Sequence, residues 1–294
     1  MSIFIVAKFI PYYKMSEKKS FDTLGFLSVV ISSSFLLISV SHGSEWGWGS
    51  WKTMSLLGIG VVLLAFFIIW ELKNASPLLQ LKVFRFPRFR YSLILNCIVT
   101  ISMYTGTLLV PLYLQTVLML SPMDTGLILL PGALVMAVAA PIIGKFYNRI
   151  GPFKLVFSGI IIIVAGSAAF SNITATSSIY MIAGLQLVRC LGIALCNMPL
   201  TNAAMSAVSS EYSGHASSIT NWARQGLASL SIGIFSALIV SRTSYYVGEG
   251  VTNKPIATTM GIDDVFMVGT IIAVVAVPLT FLLRKKGKVD LAEA

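Results

Sequence analysis

An arginine in the middle of an apolar run has few chemical options. Arg189 lies in IYMIAGLQLVRCLGIALCNMPLTNAAM, and a helix there puts Gln186, Arg189, Asn197 and Thr201 on one face, within about 60° of Gln186. Asn221, Arg224, Gln225, Ser229 and Ser236 share a face of a second apolar run. Asn96, Thr100 and Thr107, with Met103 among them, share a face of a third. These side chains donate and accept hydrogen bonds, but none is a nucleophile with a base beside it. They offer either a polar path through an apolar layer or hydrogen bonds that fasten helix to helix, and the residues alone leave both open. A mid-run guanidinium needs a carboxylate, carbonyls or water around it. No Asp or Glu is expected deep in any of the runs, so the partner of Arg189 should be a carbonyl dipole, a substrate or an acid outside this chain. Arg224 is only about two turns into its run, from where it can snorkel to an interface.

The other reactive types point to nothing catalytic. Cys97, Cys190 and Cys196 sit inside apolar runs with no CxxC pair and no histidine at ligand spacing, and read as small buried residues. His42 and His215 fall in or beside loops without a partner for metal or acid-base work. Asp263 and Asp264 adjoin the last apolar run, where charge at a helix start explains them. No catalytic residue, metal site or cofactor is expected, and no enzyme.

The elements that position these side chains follow from composition. The chain is 56% hydrophobic and 11% charged, against roughly 25% charged in soluble domains, with a mean hydropathy of +0.86. Continuous apolar stretches of about 18 residues or more match a hydrocarbon core of about 30 Å. They lack the alternation of barrel strands. An all-α, polytopic transmembrane bundle is expected, with spans near 24–41, 53–70, 92–117, 123–143, 155–171, 178–206, 217–240 and 265–283. Residues 1–13, MSIFIVAKFIPYY, are too short to cross and lack the basic start and cleavage site of a signal peptide. They read as the end of a truncated helix.

Charge sets the orientation. Fifteen of the 21 Lys and Arg fall in alternate loops and the tail: Lys14, Lys18, Lys19; Lys73, Lys82, Arg85, Arg88, Arg90; Lys145, Arg149, Lys154; Arg284, Lys285, Lys286, Lys288. Positive loops stay on the cytoplasmic side, so those loops and the C-terminus are expected inside the cell. The opposite side holds only Lys52, Arg242 and Lys254, with Trp46, Trp48 and Trp51 where indoles favour an interface. The net charge of +10 is thus explained by a lipid bilayer as partner, with no nucleic acid. Pro111, Pro131, Pro141, Pro199 and Pro278 within the spans, with several glycines, suit helices that bend and pack closely.

The stretch PLYLQTVLMLSPMDTGLILLPGALVMAVAAPIIGKFYNRIGPFKL, Pro111 to Leu155, resembles the second half of a major facilitator transporter of the fourteen-helix drug:proton antiporter branch (EmrB/QacA type). Pro111, Tyr113 and Gln115 with Gly126 and Pro131 carry the likeness, and Gln115 joins the substrate-path candidates. GKFYNRIGPFKL, expected as a tight basic turn, is similar to the second copy of the family's cytoplasmic Gly-x-x-x-Asp-Arg-x-Gly loop. Gly144, Arg149 and Gly151 match it, while Asn148 stands at the acidic position. LVRCLGIALCNMPL and NWARQGLASLSIG resemble later helices of the branch at Arg189, Gly192, Pro199, Asn221, Arg224, Gln225 and Gly226. Residues 24–72 resemble its two extra linker helices.

The resemblance implies a domain plan: 1–13 the end of a helix, 24–72 two linker helices, 90–284 the C-terminal six-helix half, and 285–294 a basic cytoplasmic tail. It also implies a missing N-terminal half, in cis or trans, carrying the proton-coupling carboxylate. The intact protein is then a plasma-membrane multidrug efflux antiporter, exchanging an amphipathic drug-like substrate for protons. This chain alone is expected to transport nothing. Met103, Tyr104, Met136 and Met205 could form an adaptable wall or ordinary core. The alternatives are a selective metabolite exporter of the same fold and a non-transport membrane subunit.

Overall fold

Helix is the only single-segment structure that satisfies a backbone in hydrocarbon, and every apolar run adopts it. The computed structural model describes residues 22–74, 77–174 and 176–284. The readings for residues 1–13 and for the 285–294 tail lie outside these.

The helices are α1 (Thr23–Trp46), α2 (Trp51–Lys73), α3 (Pro87–Thr116), α4 (Pro122–Ile150), α5 (Pro152–Phe170), α6 (Ile179–Met205), α7 (Ser213–Gly248) and α8 (Lys254–Thr280), with short 3-10 turns at Leu81–Arg85, Ser210–Tyr212 and Phe281–Arg284. All eight are long and apolar enough to cross a membrane. Their starts are locally encoded. The side chains of Asp22, Ser50, Ser121 and Asn253 accept the backbone N–H of Gly25, Thr53, Asp124 and Ile256. Pro87, Pro122, Pro152 and Pro255 sit in first turns, where a missing N–H costs nothing.

Two boundaries correct the sequence reading. The basic segment after Gly144 is not an extended turn: α4 continues to Ile150, and Gly151 alone separates it from α5. Gly144, Lys145, Asn148 and Arg149 are therefore helical. Gly151 has φ 81°, a left-handed conformation that glycine adopts without a Cβ clash.

The outer loop expected between residues 240 and 265 shrinks to Glu249–Asn253. Polar residues lowered the apparent hydropathy there, but the helix continues because Arg242 on α7 meets Asp264 on α8 at 2.6 Å. Asp263 and Asp264 thus lie well inside α8 rather than at its start. At the end of α2, Glu71 is 3% exposed. All three acids lie outside the apolar runs read from the sequence, in helix that extends beyond them. With 36 residues, α7 is about 54 Å long, so its ends pass beyond a core of about 30 Å.

Packing centres on α3, which lies against α6, α7 and α8; α5 bridges α6 and α8, and α4 packs on α6. One apolar cluster joins Leu109, Tyr113, Phe170, Ile182, Phe235 and Phe266. A second joins Leu95, Val99, Ile160, Ile163, Ile193 and Leu200. Arg189 falls between them along α6. The α1–α2 hairpin attaches to the rest through α1 on α7, where a Cβ on Gly233 would stand 2.8 Å from Val40 Cγ1.

Candidate functional site

Arg189 is 1% exposed, the largest of the fully buried side chains. Its Nη2 donates to the Ser102 carbonyl of α3 at 2.7 Å, its Nε to Ser167 Oγ of α5 at 3.1 Å, and its Nη1 to Gln186 Oε1 at 3.4 Å. The guanidinium carbon lies 5.8 Å from the Phe170 ring centre and 5.5 Å from that of Phe266. Those rings stack at 4.8 Å and 12°. One side chain of α6 thus engages α3, α5 and α8 through neutral acceptors and π-faces. Among the described residues no carboxylate pairs with it. The carbonyl-dipole option of the sequence reading is the one realised.

Room for the guanidinium is made by glycine. A Cβ on Gly106 of α3 would overlap Nη1, and one on Gly166 of α5 would lie 2.5 Å from Arg189 Cγ. Further down the same helices, a Cβ on Gly159 would meet the Gly192 carbonyl at 2.7 Å, and one on Gly192 the Gly159 carbonyl at 2.9 Å. The backbones of α5 and α6 touch there. Sequence reasoning missed Ser102, Gly106, Ser167, Gly166, Phe170 and Phe266. The serines and glycines signal only small residues in apolar runs, and the phenylalanines only apolar ones, which does not say what meets what.

The other candidates divide by environment. Asn96 and Thr100 are buried at 3% and 5% exposure. Asn96 Nδ2 donates to Thr201 Oγ1 at 3.4 Å, and the Thr100 and Thr201 hydroxyls donate to their own helices at Asn96 and Asn197. That stripe joins α3 to α6. Gln186, Asn197 and Arg224 are half-buried, whereas Thr107, Gln115, Asn221 and Gln225 are exposed. The structure brings Asn96 to the Thr201–Asn197 turn and Gln186 to Arg189, and leaves Asn221, Gln225 and Ser229 of the α7 stripe exposed. In the loop motif, Asn148 and Arg149 are exposed, and Asn148 makes no side-chain hydrogen bond among the described residues.

Two polar clusters lie nearer the rim. Near the α7–α8 junction, Asp264 Oδ2 accepts from Arg242 Nε at 2.6 Å and from the Tyr246 hydroxyl at 2.9 Å. At the base of the hairpin, the Asp22 carboxylate accepts from Gly25 N–H, Trp70 Nε1 and Asn74 Nδ2. Partial burial there works against the charged form, but these donors outweigh it and hold the carboxyl below its ordinary range. Glu71 Oε1 accepts the Leu79 N–H at 3.2 Å. Of the histidines, His42 pairs with Glu45 at 2.9 Å and stacks on Trp46, and His215 Nδ1 lies 3.3 Å from Gln80 N and 3.2 Å from the Leu78 carbonyl. Cys190 and Cys196 are buried and Cys97 half-buried, all as free thiols.

Residues 71–234 match the family model described as Major Facilitator Superfamily. The chain is similar to the uncharacterized MFS-type transporter YcnB of Bacillus subtilis, 35% identical over 88% of this chain and 55% of that protein. It is also similar to the lincomycin resistance protein LmrB of Listeria monocytogenes, 26% identical over 95% of this chain and 60% of that protein. The multidrug resistance protein Stp of Mycobacterium tuberculosis is 28% identical over 76% of this chain and 41% of that protein. The chain spans about half the length of the curated relatives it matches.

Proposed function

The chain belongs to the Major Facilitator Superfamily, and from that membership we propose that it is the C-terminal part of a proton-coupled multidrug efflux antiporter of the fourteen-helix type. The observation that carries the reading is the family match across the central bundle, joined to relatives named for lincomycin and multidrug resistance. In this reading α1–α2 are the linker helices, α3 to α8 one six-helix half, and the basic ends and C-terminus are cytoplasmic in the plasma membrane. A first half, supplied in cis or trans, brings the carboxylate that exchanges protons.

Transport then proceeds by alternating access, with this half rocking as one body against the other. A body that rocks must resist shear between its own helices. Arg189, bonded to α3 and α5 and packed on the α8 ring, acts as a brace at mid-depth. The exposed polar groups Thr107, Gln115, Asn221 and Gln225 are the residues placed to meet an amphipathic substrate. Buried Asn96 and Thr100 act as fasteners between helices.

The test is efflux of a cationic dye from cells lacking their own pumps. The chain alone should give none, and the chain with a complementary N-terminal half should give efflux that a protonophore collapses. Proton-dependent efflux by the chain alone would overturn the division of labour, and efflux indifferent to protonophore would overturn the coupling. A narrower exporter of the same fold is the second reading, favoured by a relative named for resistance to a single compound. A substrate panel separates it from multidrug efflux.

A further inference from the structure

Residues 78–86, ahead of α3, are seated on the bundle. Val83 and Phe89 are 0% exposed and pack with Leu93, Ala204, Ala216 and Ile219, and with Leu81, Phe84 and Phe86 around them. Phe84 meets Phe89 edge-on at 5.7 Å, and Phe86 lies 6.4 Å from the Tyr212 ring. His215 at the start of α7 contacts the backbone at Leu78 and Gln80. The 3-10 turn Leu81–Arg85 is therefore seated on the ends of α6 and α7, with Val83 as its anchor.

Among the described residues, four cations there pair with no acid. Lys82, Arg85 and Arg90 are exposed and Arg88 is half-buried. Among the described residues Arg242 pairs with Asp264 and His42 hydrogen-bonds Glu45, and neither contact is here. The neighbouring acid Glu211 is exposed and pairs with none of the four. Arg88 Nε is buried and has no hydrogen-bond acceptor, an expensive state for a charged donor. The first turn of α3 adds to this, because no side chain caps it and its N–H groups and dipole favour an anion.

We propose that Lys82, Arg85, Arg88 and Arg90 form a binding site for the headgroup of an anionic phospholipid. Helix ends of this chain meet the bilayer surface, and a surface site built from guanidinium forks over an apolar base fits a phosphate with acyl chains beside it. Arg88 Nε would donate to a phosphate oxygen, with Arg85 and Lys82 flanking it. The site does not depend on transport, so its failure leaves the antiporter reading untouched.

The experiment uses the full chain in neutral detergent, titrated with phosphatidylglycerol or phosphatidylcholine, with bound lipid counted by native mass spectrometry. Phosphatidylglycerol should bind more tightly, by about fivefold for each cation engaged. Arg85→Gln with Arg88→Gln should cut the preference by about 25-fold, the share of two cations. Lys145→Gln with Arg149→Gln, which removes the same charge at the end of α4, should keep it. Equal binding of the two lipids would overturn the site, as would an equal loss in the α4 control. Full competition by inorganic phosphate would overturn the lipid as its ligand. Should the arginine pair not purify folded, exposed Lys82→Gln with Arg90→Gln and the unmodified chain's preference between lipids decide the matter.

Discussion

Arg189 and Arg242 face the same problem in two regions of one molecule. Near the α7–α8 junction at the rim of the bundle, Arg242 stays part-exposed and takes a carboxylate, Asp264, at 2.6 Å. In the centre, Arg189 is sealed at 1% exposure and takes a carbonyl, a hydroxyl, an amide and two rings. The rim pair is held mainly by charge and tolerates change. The central group is held mainly by shape, because an enclosed guanidinium has no water to fall back on when a neighbour shifts.

The sharpest way to break this contrast is to fill the central space. Gly106→Leu should displace the guanidinium from α3 and cost at least about 3 kcal/mol, as overpacking at the upper end does. The loss should appear as poor insertion and a low thermal midpoint. Arg189→Ala should be next, at about 2–4 kcal/mol from lost packing and a cavity. Arg189→Met, which fills much of the volume and removes the buried charge, should recover most of that stability. In the two-half antiporter proposed above both should still insert, and both should lose or redirect efflux. Unchanged drug resistance would refute a part for Arg189 in transport.

The rim should respond more gently. Asp22→Ala removes a helix cap together with the Trp70 and Asn74 contacts, and should cost about 1–2 kcal/mol. Because the folded carboxyl is held below its ordinary value, its contribution is present above the unfolded pKa and fades as pH falls through the lowered one. Trp70 fluorescence in detergent should stay constant through the ordinary carboxylate range and change only below it. A change beginning at pH 6 would contradict the depressed pKa. The smallest effect should come from Asp264→Asn, a loss that shrinks with salt, as for a half-exposed ion pair. If it matched Arg189→Ala, the distinction between centre and rim would fall.

Much of the bundle was legible because its signals are local. Each apolar run is long enough to cross and must become helix; the caps Asp22, Ser50, Ser121 and Asn253 are local too, although the sequence reading did not use them and began the last run at 265. The polar stripes were equally readable, since 3.6 residues per turn fixes which side chains share a face. Reading failed where a local signal was outvoted by a distant partner. Ser241 to Tyr246 looked like loop until α8 supplied Asp264. The basic run after Gly144 looked like a turn, although only Gly151 has the backbone of one.

The sequence by itself determined the class of structure, the positions of the helices and the presence of a cation in an apolar layer, because each depends on neighbours along the chain. Only the tertiary structure decided what that cation does. The contacts of Arg189 to Ser167 and Ser102 join residues 22 and 87 positions apart, and no periodicity reports such a meeting. Gly106 shows why: in its own helix it is one more small residue, and its missing Cβ matters only because a guanidinium from α6 arrives in the space. Three-dimensional packing likewise divided the polar candidates, turning Asn96 and Thr100 inward and leaving Asn221 and Gln225 exposed. Burial is set by which helix lies opposite, and that is a property of the assembled bundle.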